Sequence, residues 1–221
     1  ISRLNQAAGP FRCSPDLLEV LRRCESWRER SGGAFHPQLG RLVALWSQAA
    51  RRHALPAGAD VDRAIRRIAQ AALAIDSAAA TVQRIGDELL NVDGLAKGYI
   101  IDRAAAAALR TGVDGVLLDI GGDLAVVGAA PDGDGWPVGI ADPARPQDNA
   151  LPLTSIRLRS GGMATSGNYL RYHAVGDARH GHILDPRTGR PAVAVASATV
   201  VAANCADADA LATILCVLAP E

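Results

Sequence analysis

The chain contains a single lysine, Lys97, within "NVDGLAKGYIID"; its other strongly basic side chains are all arginine. The apolar run "ELLNV" reads as a strand that passes through a glycine-bearing turn into a helix. A helix N-terminus offers unpaired N–H groups and a partial positive charge, which suit phosphate. Gly94 permits close approach of a ligand or an unusual backbone angle. An ammonium is a compact point charge, unlike the planar fork of arginine. Phosphate contact is one meaning of this stretch. An ordinary lysine on a helix surface is the other, and a short Gly/Lys loop does not decide between them.

Three other stretches carry chemistry. In "CADADALATIL", Asp209 and Thr213 are four apart and share a helix face. A carboxylate, a hydroxyl, a backbone carbonyl and phosphate oxygens form a hard-oxygen shell suited to Mg²⁺. Asp209 near a helix start equally suits the helix dipole, and Asp207 is a candidate N-cap. In "RHGHILDPRTGRP", His180 and His182 alternate, so on a strand they share a face. A histidine beside a phosphate ester can act as general base. As a metal pair the two lack an obvious third ligand, and a hairpin turn with polar histidines is the commoner situation. In "GGMATSGNYLRY", Thr165 and Ser166 either line a pocket or sit in a turn between strands; taken alone the turn is favoured.

The elements that must position these residues follow from periodicity and punctuation. "SPDLLEVLRRCESWRERSGG" is a helix with Ser14 as N-cap and Pro15 at its first position. "QLGRLVALWSQ" and "DVDRAIRRIAQ" are two more helices. "ALAID" and "TVQRI" are strands, and "LAKGYIIDRAAAAALRTG" is a strong helix ended at Gly112. "GVLLDIGGDLAVVG" is a hairpin about Gly121 and Gly122. "WPVGIAD", "LTSIRLRS", "NYLRYHAV", "GHILD" and "ASATVVAA" are further strands, before a closing helix over "CADADALATILCVL". A helical first third before a strand-rich remainder defines an α+β protein with a mostly antiparallel sheet and flanking helices.

The 221 residues fit one domain or two interleaved lobes, able to bury roughly 70% of the surface the unfolded chain exposes. Net charge is zero with no polybasic run, which argues against nucleic acid as a partner. The four cysteines form no C-x-x-C pair, and no apolar stretch is long enough to span a bilayer.

In order and combination these blocks resemble the ApbE-type FAD:protein FMN transferases. The likeness runs through "ISRLN", "SGGAFHPQLGRLVALW", "NVDGLAKGYIIDRA", "DIGGDLAV", "MATSGNYLRY", "GHILDPRTGRP" and "ATVVAANCADADALAT". It implies an ApbE-like fold over residues 1–221 as one domain, without the family's N-terminal and C-terminal strands. It implies Mg²⁺-dependent transfer of FMN from FAD to a threonine or serine hydroxyl of a partner protein, with AMP leaving. The partner would be a flavin-acceptor subunit of an electron-transfer complex. By the same resemblance Gly94, Asp209 and Thr213 hold the metal. Ala34, Phe35, His36, Asn91, Lys97 and Ile183 meet FAD, with Thr165 and Ser166 at the pocket, and His182 is the general base. A periplasmic or envelope-associated location is implied, touching membrane only through a lipid anchor outside this sequence; a cytoplasmic one stays open.

The sequence departs from the family pattern at two positions. Asn91 stands where an aspartate is usual, and "FHPQ" replaces "FDPT", placing His36 where the family has an acid. These departures favour a non-catalytic flavin-binding protein as the competing expectation; a Mg²⁺-dependent FAD pyrophosphatase, with water replacing the protein hydroxyl at the same site, is the third.

Overall fold

A computed structural model describes residues 1–145, 147, 150–169, 172–175 and 178–218. Its first elements are α1 (Ser2–Gln6), β1 (Phe11–Arg12), α2 (Pro15–Arg30), α3 (Gly40–Arg52), α4 (Gly58–Gln70), β2 (Ala72–Asp76) and β3 (Thr81–Ile85). Next come α5 (Asp93–Leu109), β4 (Gly115–Ile120), β5 (Asp123–Gly128), β6 (Trp136–Ile140), β7 (Thr154–Leu158) and β8 (Gly161–Gly167). The last are β9 (Tyr172–Val175), β10 (Ala178–Gly181), β11 (Leu184–Asp185), β12 (Arg190–Pro191), β13 (Ser197–Ala202) and α6 (Cys205–Val217). Every strand pair among the described residues is antiparallel, so the fold is α+β as expected. No helix among them is long and apolar enough to cross a membrane.

The chain packs into two compact units. Unit 1 comprises Ile1–Val92 and Tyr172–Ala192. Its α2 starts as its sequence dictates: the Ser14 hydroxyl accepts the Leu17 N–H at 3.2 Å, and Pro15 occupies the first turn. One face of α2 buries Val20, Leu21, Cys24 and Trp27. A second core joins Leu42 and Trp46 of α3 to Ala64 and Ile68 of α4 and to Leu184. The Trp46 indole N–H donates to the Gly189 carbonyl at 2.9 Å, pinning the "DPRTG" turn. Gly189 adopts φ +66°, which favours glycine there.

One expected strand in unit 1 does not form. "ELLNV" carries no regular structure, because its hydrogen bonds go to side chains and loops instead of a ladder. Glu88 turns inward, and its Oε1 accepts the N–H groups of Arg41 (2.6 Å) and Leu89 (3.1 Å). Leu90 N–H is taken by the Asn5 side chain, Leu89 O accepts from Gly40, and Asn91 N–H donates to Pro37 O. His182 also falls outside a strand: β10 stops at Gly181, so His180 and His182 do not share a strand face.

Unit 2 comprises Asp93–Arg171 and Val193–Glu221. Its four-stranded sheet runs β13-β8-β5-β4. "MATSG" is a strand here and not a turn, since β8 pairs with β13 on one side and β5 on the other. Gly121 and Gly122, both at positive φ, make the two-residue turn between β4 and β5. Alternation along β5 separates two cores. Leu124 and Val126 pack with Val138, Leu158 and Met163, whereas Ala125 packs with Ile101, Ala105 and Cys205. Asp123 lies in register with Ala125, on the α5 face. The "NYLRYHAV" expectation is met only over Tyr172–Val175, as β9; Asn168 and Tyr169 form a bend, and Leu170 and Arg171 lie outside the described residues.

Candidate functional site

In unit 2, α5 and α6 hold one another by reciprocal bonds from the main chain of one to an aspartate of the other. Asp102 of α5 accepts the first two amides of α6, Cys205 N–H at 2.8 Å and Ala206 N–H at 3.0 Å. Asp209 of α6 accepts the Gly98 N–H of α5 at 3.1 Å. Asn204, not Asp207, is the N-cap of α6, accepting the Asp207 N–H at 2.9 Å. Asp207 instead accepts the Asn204 side-chain amide at 2.8 Å. The approach is close: a Cβ at Gly98 would overlap the Cys205 carbonyl, and one at Gly162 would overlap the Cys205 amide. Glycine is therefore required at both positions for α6 to sit against α5 and β8.

This packing assembles most of the residues expected to bind metal and phosphate. Lys97 Nζ lies 2.6 Å from Asp123 Oδ2, and Asp123 Oδ1 accepts the Thr165 N–H at 3.2 Å. The Thr165 hydroxyl bonds that of Thr199 at 2.9 Å, across the ladder. Ser166 points to the opposite face of β8, where its hydroxyl meets that of Thr213 at 3.3 Å. Gly94 is half-buried in the first turn of α5, one turn before Gly98. Burial pushes the Asp209 carboxyl up to about 7, and the charges of Asp123 and Asp93 push the same way. Lys97 and the Gly98 N–H act against them.

A buried carboxylate raised by neighbouring carboxylates is a place where an added cation is stabilising. Asp209 and Thr213 supply hard oxygens on one face of α6, with Ser166 adjoining. That donor chemistry fits Mg²⁺. The histidines do not extend to a softer metal centre: no group of three or more His, Cys, Asp or Glu among the described residues is placed to hold an ion.

Unit 1 carries the remaining candidates. Ala34, Phe35 and His36 are buried beyond the C-terminus of α2, where Gly32 and Gly33 take positive φ. The Ser31 hydroxyl accepts the Phe35 N–H at 3.0 Å. His36 Nδ1 accepts the Gln38 N–H at 3.0 Å, which leaves the ring proton on Nε2 in the neutral form. Burial, reinforced by the Arg28 charge, lowers the His36 pKa to about 4. The bond from Asn91 N–H to Pro37 O, 2.8 Å, ties Asn91 to this segment. His182 is half-buried just past β10, and Ile183 is buried with its carbonyl accepting Ala192 N–H at 2.8 Å. His180 makes a tilted ring contact with Trp46, centroids 5.4 Å apart.

Sequence reasoning missed Asp123, read only as part of a hairpin, and Asp102. For Asp123 a signal existed: an acid opening an otherwise apolar strand demands a cation or donors when buried, and this chain has one lysine to offer.

The model of the ApbE family matches residues 1–221. The FAD:protein FMN transferase of Treponema pallidum is 33% identical over 239 residues, covering 100% of this chain and 65% of the relative. That of Vibrio cholerae is 30% identical, covering 100% and 67%. The solved ApbE protein of Thermotoga maritima superimposes with TM-score 0.86 at 30% identity, covering 98% of this chain and 70% of that one. The apo flavinyl transferase ApbE of Pseudomonas stutzeri gives 0.81 at 28%, covering 99% and 68%. The chain belongs to the ApbE family, and it spans about two thirds of the length of the curated relatives it matches.

Proposed function

We propose that this chain catalyses Mg²⁺-dependent transfer of FMN from FAD to a threonine or serine hydroxyl of an acceptor protein, a flavin-carrying subunit of an electron-transfer complex. The observation that carries this reading is the unit 2 cluster: a buried Asp209 with Thr213 and Ser166 beside it, and an ammonium fixed near the start of α5. The names borne by its relatives support flavin transfer as the reaction class.

The acceptor hydroxyl forms a new P–O bond at the FMN phosphorus while the bond to AMP breaks. Its proton passes to His182, the general base in this reading. Asp209, Thr213 and the Gly94 carbonyl would hold Mg²⁺, which when bound supplies Lewis acidity and a template for the diphosphate. Lys97 orients the nucleotide, so that most of the acceleration comes from positioning and charge stabilisation. Ala34, Phe35, His36, Asn91 and Ile183 would bind the rest of FAD, with Thr165 and Ser166 at the pocket.

The test is incubation with FAD, with and without EDTA, in the presence of a candidate acceptor, following AMP by chromatography. Metal-dependent AMP together with a flavin-labelled acceptor is expected. AMP with free FMN alone would replace transfer by hydrolysis. Bound FAD with no AMP would make the chain a flavin-binding protein. His182→Ala should abolish labelling yet leave FAD binding intact.

A further inference from the structure

Asp123 is buried, only 1% exposed, on a strand face otherwise lined by apolar packing. An isolated carboxylate is costly there. If stability were its sole purpose, an apolar residue of similar volume would serve as well, since buried ion pairs are often neutral or unfavourable compared with hydrophobic replacements. The arrangement around it is directional. One oxygen is held by the Thr165 amide of β8, which locks the carboxylate plane; the other receives Lys97 Nζ at 2.6 Å. The Lys97 side chain is nevertheless 41% exposed. An ammonium has three hydrogens. Asp123 takes one, which leaves two available to an acceptor that reaches the exposed part of this side chain.

We propose that Asp123 is the positioning residue for Lys97: it fixes the ammonium so that the two remaining hydrogens meet the phosphate of a bound nucleotide, and it cancels the charge so that Lys97 acts by direction more than by net attraction. The proposal accounts for the one lysine in an arginine-rich chain. A compact ammonium can be gripped from behind and still present donors in front, whereas a guanidinium bound by Asp123 would place its planar fork in the inward contact. Asp123 and Asp93 outnumber Lys97 here, and Asp209 adds to them when ionised, so a metal-free pyrophosphate group meets a repulsive local field.

That the anion is FAD rests on the proposed transferase function; the hold on the ammonium does not. Because Lys97 is the only lysine, its side-chain ¹⁵Nζ resonance can be assigned without ambiguity. In the unaltered chain, a coupling through the hydrogen bond from Lys97 ¹⁵Nζ to Asp123 ¹³Cγ is expected, and it does not depend on any variant folding. In folded Asp123→Asn the slowly exchanging ammonium signal should be lost, while in Asp209→Asn it should remain. Inorganic pyrophosphate in EDTA should bind Asp123→Asn at least threefold more tightly than the unaltered chain. AMP release at saturating FAD should fall at least tenfold. A purely structural carboxylate would weaken both. Absence of the coupling, an unchanged ammonium signal in Asp123→Asn, or weaker pyrophosphate binding would overturn the proposal. Failure of the unaltered chain to release AMP would defeat the transferase function and leave the pyrophosphate comparison to decide this one.

Discussion

Glu88 in unit 1 and Asp123 in unit 2 are both buried carboxylates, and they are held in opposite ways. Glu88 is fully enclosed and accepts two main-chain N–H groups, one of them at the start of α3. Burial raises its pKa, against the pull of those amides and of Arg41 and Arg67. Its work ends inside the fold: it replaces a missing ladder and starts a helix. Asp123 also accepts one amide, but its second oxygen holds a cation that reaches solvent. Glu88 organises structure through Oε1 alone, its buried Oε2 having no hydrogen-bond partner among the described residues. A buried acid that grips a partly exposed cation can, as proposed above, aim that cation at a ligand.

The largest effect should come from breaking the second arrangement. Lys97→Met leaves Asp123 buried without its cation, and unit 2 should lose about 3 kcal/mol of stability, near the low end for a broken buried pair because the lysine end is exposed. Urea denaturation measures this. Adding Asp123→Asn to Lys97→Met should recover part of the loss; strict additivity would show that the two residues are not coupled.

The counterpart in unit 1 is His36. Its pKa is about 4 when folded and about 6.5 when unfolded, so between these values the unfolded chain binds more protons. The stability associated with neutral His36 is complete above about pH 6.5 and is lost as pH falls towards 4, up to about 3 kcal/mol. Denaturation curves at several pH values should show this slope, and His36→Gln should flatten it.

Gly98→Ala forces a Cβ against the Cys205 carbonyl, a contact of backbone that cannot swing aside. A cost of about 1–3 kcal/mol is expected, with the Asp209 bond to residue 98 disrupted. Thermal melting reports the first and metal affinity the second. The smallest effects should separate the units by their caps. Ser14→Ala and Asn204→Ala should each cost about 1 kcal/mol. Only Asn204→Ala should also lower AMP release, since α6 carries Asp209 and Thr213. Equal activity in both variants would mean that the start of α6 does not govern the site.

Helices were legible wherever cap, period and stop coincide: Ser14–Pro15 opens α2, and α6 covers the expected run almost to the residue. The β4–β5 hairpin was legible from Gly121-Gly122. "ELLNV" misled because its apolar pattern resembles a strand, while the groups that occupy its amides, Asn5 and the 37–40 loop, are far away in sequence. "MATSG" misled the other way. Small residues look like a turn in isolation, and only the ladders to β5 and β13 show the stretch to be a strand.

By itself the sequence determined the family, the α+β class, and the residue types that bear chemistry: one lysine, a carboxylate and hydroxyl four apart, a histidine beside a turn. These are local or collinear properties, readable from periodicity and the order of motifs. Tertiary structure alone decided which of those groups meet. Lys97 faces Asp123, Asp209 faces Gly98, and Ser166 faces Thr213, because strand alternation and the close packing of α5 and α6 set those directions. An ion pair or hydrogen bond depends on distances of a few ångströms, and no spacing along the chain encodes them.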